Sequence, residues 1–174
     1  MGDMTTNVRR KGWIKMKITI LAVGKIKEKY FTAAIQEYAK RLNRYCKLEI
    51  LEVADEKTPD QASEHEEDLI REKEGERLRR YIKDGGYVIA LAIDGRQTTS
   101  EGFADKLRGL CVSGKSHIIF VIGGSIGLDR KLLQEADERL SFSKMTFPHQ
   151  LMRVVLLEQI YRGFRIIHGE PYHK

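Results

Sequence analysis

Residues 117–138 read HIIFVIGGSIGLDRKLLQEADE, and this stretch decides the fold. The run 117–122 is apolar almost throughout and rich in β-branched residues. It is too short for a buried helix and reads as a strand covered on both faces. Gly123, Gly124, Ser125, Ile126 and Gly127 then form a turn, and a helix is predicted over 128–138. A strand buried on both sides and followed by a helix is the unit from which parallel sheets are built. Glycines in that turn also let the backbone approach a ligand closely. The run lacks the full GxGxxG pattern, and no acidic residue closes a following strand, which disfavours a nicotinamide site. A plain strand-to-helix turn is the alternative reading.

The same alternation extends outward in both directions. Upstream, 87–93 is a buried strand, Asp94-Gly95 is a turn signal, and a helix begins at Ser100, the cap candidate, and runs to about Leu110. Earlier still, 17–23 is an apolar strand ending at Gly24. A helix over 28–45 places Phe31, Ile35, Tyr38, Leu42 and Tyr45 on one face, and 47–53 alternates as a strand. Residues 61–83 are strongly charged with a thin apolar stripe, which predicts a solvated outer helix. Downstream, 140–147 is irregular or extended, Pro148 opens a last helix reaching about Ile167, and Gly169 and Pro171 stop it. The expected class is α/β, a mostly parallel sheet with helices on both faces, and ligands in such folds sit beyond the carboxyl ends of the strands.

A chain of 174 residues suits one domain, expected over 16–174. Residues 1–15 lack periodicity and read as an extension, with a basic arm for nucleic acid as the functional alternative. Arg9, Arg10, Lys11 and Lys15 against Asp3 give this segment half of the formal net charge of +6. The remainder is only mildly biased towards a polyanionic partner. Cys46 and Cys111 have no metal-ligand spacing and read as free thiols of a reducing cytoplasm. No apolar run is long enough for a membrane span and no signal-peptide core is present.

Residues 109–116, GLCVSGKS, match the phosphate-loop pattern GxxxxGK[ST]. That loop needs a strand before it and a helix after it. Here the order is reversed, so a helix-to-strand turn at Gly114 is the better reading, with nucleotide hydrolysis as the alternative. The last helix is apolar all round, which points to burial on every face and to a subunit partner. Arg153, Glu158, Arg162 and Arg165 interrupt that surface and must be paired or face a ligand. The tail Tyr172-His173 is a chemically capable pair directly after a buried helix.

Taken together, KITILAVGKIKEKY, VIALAIDG, FVIGGSIGL, LSFSKMTFPHQLMRVVLLEQIYRGFRI and the terminal PYHK resemble the ribosomal RNA large-subunit methyltransferase H family of the SPOUT superfamily. The resemblance covers 16–174. It implies a C-terminal trefoil knot, a homodimer with its active site at the subunit interface, and S-adenosyl-L-methionine as cofactor. It implies cofactor contacts from Leu91, Gly123 and the run Phe142, Ser143, Lys144, Met145, Thr146 and Phe147, with Gly124 and Gly127 shaping the pocket. The implied reaction is methylation of N3 of a pseudouridine in 23S ribosomal RNA.

The sulfonium methyl is already activated, so no metal is required. N3 is imide-like and protonated at neutral pH, so the site needs a base, a cation that stabilises the N3 anion, or both. His173 and Tyr172 are the candidates for orienting the base and assisting proton loss. Arg153 and Arg162 are the candidates for holding uracil oxygens or phosphate. A modest charge on a small body predicts preference for assembled ribosomes over naked RNA. The competing reading is a non-catalytic RNA-binding or ribosome-assembly factor of the same fold.

Overall fold

The computed structural model describes residues 15–82 and 84–174. Apart from Lys15, the expected extension lies outside them. Ten elements follow in order: β1 (Lys17–Val23), α1 (Lys29–Leu42), β2 (Lys47–Val53), α2 (Glu64–Arg79), β3 (Tyr87–Arg96), α3 (Ser100–Val112), β4 (His117–Ile122), α4 (Arg130–Glu135), β5 (Glu138–Leu140) and α5 (His149–Ile167). The strands form one sheet in the order β2-β1-β4-β3-β5, and every pairing is parallel. All strands therefore end at one edge, where Gly24, Gly123 and Ser141 emerge.

Two core layers sandwich the sheet. Ile18, Ile20, Ile118 and Phe120 face one side and pack on Leu107, Leu156, Ile160 and Phe164 from α3 and α5. Leu21, Val23, Ile119 and Val121 face the other and meet Leu78, Leu128 and Leu132. Alternate residues of one strand thus serve opposite layers, as the period of two requires. Among the helices, α5 packs against both α1 and α3. A Cβ on Gly163 would stand 3.1 Å from Leu107 Cδ1, so the absent side chain lets α5 and α3 close.

Several expected boundaries shift for identifiable reasons. The helix predicted over 128–138 spans only Arg130–Glu135: Asp129 caps it, Ala136 is extended, and Glu138–Leu140 pairs with β3 as a strand. β3 runs through Asp94-Gly95 instead of turning there, because Gly95 lies flat on the passing chain. A Cβ at Gly95 would be 2.8 Å from the carbonyl carbons of both Arg139 and Leu140. Thr99, not Ser100, caps α3 by accepting from the N–H of Gly102, while Ser100 Oγ donates to Gln159 at 2.8 Å. The end of α3 explains the phosphate-loop look-alike. Gly114 has φ +84°, and the N–H groups of Gly114 and Lys115 donate to the carbonyls of Cys111 and Leu110. This is a glycine-terminated helix end leading into β4.

Arg153 corrects an expectation about substrate contact. Its side chain is 1% exposed. Nη1 donates to Glu52 Oε2 at 2.6 Å, and Nη2 donates to the carbonyls of Val23 and Gly24 at 2.8 and 2.6 Å. Nη1 and Nη2 tie the start of α5 to the ends of β1 and β2, and Nε is buried without a partner, so the guanidinium presents no exposed donor to a uracil oxygen or phosphate. Replacing Arg153 with Met strands Glu52 and two carbonyls. We expect a loss of about 2–3 kcal/mol, below the cost of breaking a fully buried pair because Glu52 keeps some water contact. Denaturant unfolding of Arg153→Met checks this, and an unchanged midpoint contradicts it.

Candidate active site

The strand ends frame a cavity of about 930 Å³. Its walls come from three backbone segments. The end of β3 contributes Leu91 to Asp94, and the loop after β4 contributes Gly123 to Leu128. The run between β5 and α5, continued into the first residue of α5, contributes Ser141, Phe142, Ser143, Met145, Thr146, Phe147, Pro148 and His149. Leu91, Gly123, Gly124, Gly127, Phe142, Ser143, Met145, Thr146 and Phe147, drawn from separate parts of the sequence, therefore line one space. Lys144 differs: it is exposed and does not line the cavity.

The cavity combines apolar walls with backbone polar groups. Leu91, Ile122, Leu140 and Met152 supply the former. The run 141–147 has little internal bonding beyond Ser141 Oγ donating to the Ser143 carbonyl and the Met145 N–H donating to Ser143 Oγ. This leaves backbone groups for the edge of a flat, polar-rimmed ring. His149 opens α5 in the wall. Burial first, and then the charge of Arg153, hold its imidazole below the usual histidine range, so it is neutral at physiological pH.

The glycine turn is built by close backbone approach. A Cβ on Gly123 would sit 2.7 Å from the carbonyl carbon of Gly127, and Gly127 itself has φ +84°. Behind the turn stands α2, which the sequence presents as a solvated helix. One face of it is a strut. Arg71 Nε donates to the Ile126 carbonyl at 2.9 Å, Gly75 abuts Asp129, and Arg79 Nη1 donates to Asp129 Oδ2 at 2.6 Å. Glu74, 4% exposed, lies directly under Gly124. Its Oε1 accepts from the N–H of Glu56 at 2.9 Å while its Oε2 is buried without a partner. Burial is the main reason its carboxyl titrates above the usual range. The residues of this strut fall at spacings of three and four, but their partners lie some 50 residues away, so no local pattern reveals them.

A second polar cluster forms where α5 meets the C-terminal tail. Glu158 is its hub. Oε1 accepts from Arg162 Nη2 at 2.6 Å and from the Tyr172 hydroxyl at 3.1 Å, and Oε2 accepts from Gln159 at 2.8 Å. The Arg162 guanidinium lies 4.7 Å over the Tyr172 ring. Burial first, and then the charge of Glu158, push the Tyr172 hydroxyl up to about 12. His173 Nδ1 is 3.2 Å from Arg162 Nη1, and its Nε2 is 2.7 Å from Glu101 Oε1. A guanidinium only donates, so Nδ1 accepts and the ring proton sits on Nε2, aimed at Glu101. The tail is held in place by Glu170, which accepts from Tyr45 at 2.5 Å and pairs with Arg44 and Arg165. The structure thus brings Tyr172, His173 and Arg162 together and separates Arg153 from them. Glu158, which the sequence marks as a charge needing a partner, is the centre of the cluster; Glu101 at the start of α3 and Glu170 in the tail complete it, and neither carries a local signal of that pairing.

The cavity and the tail cluster share no residue. Among the described residues, no group of three or more metal-ligating side chains is poised to hold an ion, and no helix is long and apolar enough to cross a membrane.

Two outcomes are expected. Gly123→Ala must displace the Gly127–Leu128 backbone, so its unfolding midpoint should fall below that of the parent; an unchanged midpoint would contradict the close approach at Gly123. Glu74 holds its proton more tightly in the folded state than in the unfolded one, so its contribution to stability is present below the ordinary carboxylate range and is lost as pH rises through the raised value. Glu74→Gln keeps the acceptor for Glu56 and removes the buried charge. Its melting temperature should exceed that of the parent at pH 8, with the gain vanishing below about pH 4. A pH-independent difference would count against this account.

A model of the family described as "Predicted SPOUT methyltransferase" matches residues 16–173. "Ribosomal RNA large subunit methyltransferase H" of Clostridium kluyveri is 61% identical over 159 residues, covering 91% of this chain and all of that protein. The protein of the same name from Bifidobacterium adolescentis is 63% identical with the same coverage. The fold, the match across nearly every described residue and the identity to these relatives lead to one conclusion: the chain belongs to the SPOUT methyltransferase family.

Proposed function

We propose that this protein uses S-adenosyl-L-methionine to methylate N3 of a pseudouridine in large-subunit ribosomal RNA, acting on assembled ribosomes. The observation that carries the reading is the cavity at the strand ends, lined by Leu91, the Gly123–Gly124 turn, Phe142, Ser143 and the run 145–147. The names of the relatives, at 61% and 63% identity over their full length, support the ribosomal RNA substrate. The cavity suits the cofactor. Its volume falls in the range of small-molecule sites, and its apolar walls flanked by backbone polar groups match a purine ring. When bound, S-adenosylmethionine supplies an activated methyl on a sulfonium.

The residues of the tail would manage the acceptor. Tyr172 keeps its proton at neutral pH and acts as a donor, not a base. Arg162 offers a cation, which stabilises an N3 anion or its flanking carbonyl oxygens. As Arg162 turns to those oxygens, His173 Nδ1 is released to accept the N3 proton, and Glu101 stabilises the imidazolium that results. Transfer further requires that donor and acceptor be held in line, which rigid walls and an anchored tail favour.

The separation of cavity and tail cluster within one chain supports a homodimer in which the tail of one protomer faces the cavity of the other. Ile93, Met145 and Phe147 are exposed apolar residues on the cavity rim and gain cover in such a pair. The close passage of residues 139–140 across Gly95 is consistent with a C-terminal trefoil knot.

Incubation with ribosomes and labelled cofactor, followed by mapping of the modified base, tests the reaction. Label at N3 of one pseudouridine is expected, with little on naked RNA. Cofactor binding without incorporation would overturn the reading in favour of a non-catalytic factor. His173→Ala should lower turnover by roughly 100-fold or more, the scale of a lost acid–base group. Full turnover of that variant would remove His173 from the mechanism.

A further inference from the structure

The segment 24–30, GKIKEKY, leaves the end of β1 and enters α1, and neither the cavity nor the tail cluster uses it. It carries Lys25, Lys27 and Lys29 within five residues. All three are exposed, and none is ion-paired among the described residues. Glu28 is the one acid in the run. Tyr30, the next residue, is 66% exposed, unusual for a ring of that size. Its ring meets Phe31 at 4.6 Å with an interplanar angle of 61°, and most of it stays open to solvent.

The segment is held at its base. The Ile26 N–H donates to Glu52 Oε2 at 2.9 Å, the carboxylate that Arg153 also grips. Arg153 takes the Gly24 carbonyl as well, and the Gly24 N–H donates to the Val53 carbonyl at 2.8 Å. The segment also starts beside the cavity: a Cβ on Gly24 would lie 3.9 Å from Nε2 of His149, which lines the wall. A row of cations with an open aromatic face, anchored at the rim of a methyl-donor cavity, has the chemistry of a single-strand groove. Lysines track phosphates there and a ring stacks a base.

Resting on the reading of the chain as an RNA methyltransferase, we propose that residues 25–30 form a docking strap for the single-stranded RNA that flanks the target base. Lys25, Lys27 and Lys29 contact phosphates, and Tyr30 stacks one unpaired base. Phosphate contacts set position and affinity without reading sequence. The strap thereby orients the target relative to the cavity, while the chemistry stays with the site.

The test is fluorescence anisotropy with a labelled, unstructured uridine-rich RNA oligomer across a potassium chloride series. It compares the full chain with Lys25→Ala/Lys27→Ala/Lys29→Ala and with Tyr30→Ala. The triple variant should bind at least tenfold more weakly, and its log–log salt slope should be shallower by about 2, the loss of three single-strand phosphate contacts. Tyr30→Ala should weaken binding by about fivefold or more with the salt slope unchanged, since stacking is not electrostatic. Calorimetric affinity for S-adenosylmethionine should be unchanged in both, because none of these residues lines the cavity. RNA affinity and slope equal to the parent in the triple variant would overturn the proposal, as would no measurable RNA binding by the parent. Loss of methyl transfer on ribosomes with RNA affinity intact would also overturn it, pointing to a protein contact instead. The readout is binding, so an enzyme that bound RNA through the strap but transferred no methyl would refute the functional reading alone.

Discussion

The Arg153 guanidinium is the joint on which this structure turns. A cation buried at the start of α5 must be neutralised, and the ends of β1 and β2 do it with two carbonyls and Glu52. That arrangement fixes where α5 begins relative to the sheet edge. The run 141–148 spans the gap between β5 and that starting point, so the cavity wall inherits its position from the same contact. Glu52 also takes the Ile26 N–H, so the chain leaving β1 is set by it too. One buried charge thus aligns the last helix, the cavity wall and the segment that leads to α1.

A second constraint acts from the opposite face of the sheet. The turn after β4 is made of glycines because its two arms nearly touch. A turn so thin has few side chains with which to hold itself, and α2 supplies them through Arg71, Gly75 and Arg79. Glu74 is left with a buried, unpartnered oxygen beneath that turn. Such a group costs stability, and its retention against the cavity floor ties the electrostatics of α2 to the shape of the site.

Much of this was legible in the sequence where the signal is local. Strands 17–23, 47–53 and 117–122 show themselves as apolar or alternating runs, and the parallel sheet follows from their alternation with helices. The strand order does not follow, because it depends on which strands meet across long connections. The cavity residues were named through family resemblance; composition alone offered only a glycine turn and an irregular run. The resemblance groups Lys144 with its neighbours, but Lys144 is exposed and does not line the space they enclose. Arg153 and Arg162 look alike on paper, as two arginines on an apolar helix. Only the position of Glu52, 101 residues from Arg153, shows that one is a structural joint, whereas the other contacts His173 in the C-terminal tail. Glu158 stands out as a charge on an apolar helix, but that Tyr172 is its partner, and Glu101 that of His173, depends on contacts 14 and 72 residues apart that no local pattern shows.

The proposed reaction needs two half-sites that share no residue within one chain: the cavity, read as the place of the methyl donor, and the tail cluster, read as the part that orients the acceptor. Mixing Gly123→Ala subunits, which lack the first, with His173→Ala subunits, which lack the second, tests that arrangement directly. If the halves meet across a two-fold dimer, each mixed dimer holds one intact site, and equal mixing should restore about a quarter of the parent methyl-transfer rate. No recovery above the separate variants, with subunit exchange verified, would show that donor and acceptor residues act within one chain and would contradict the account.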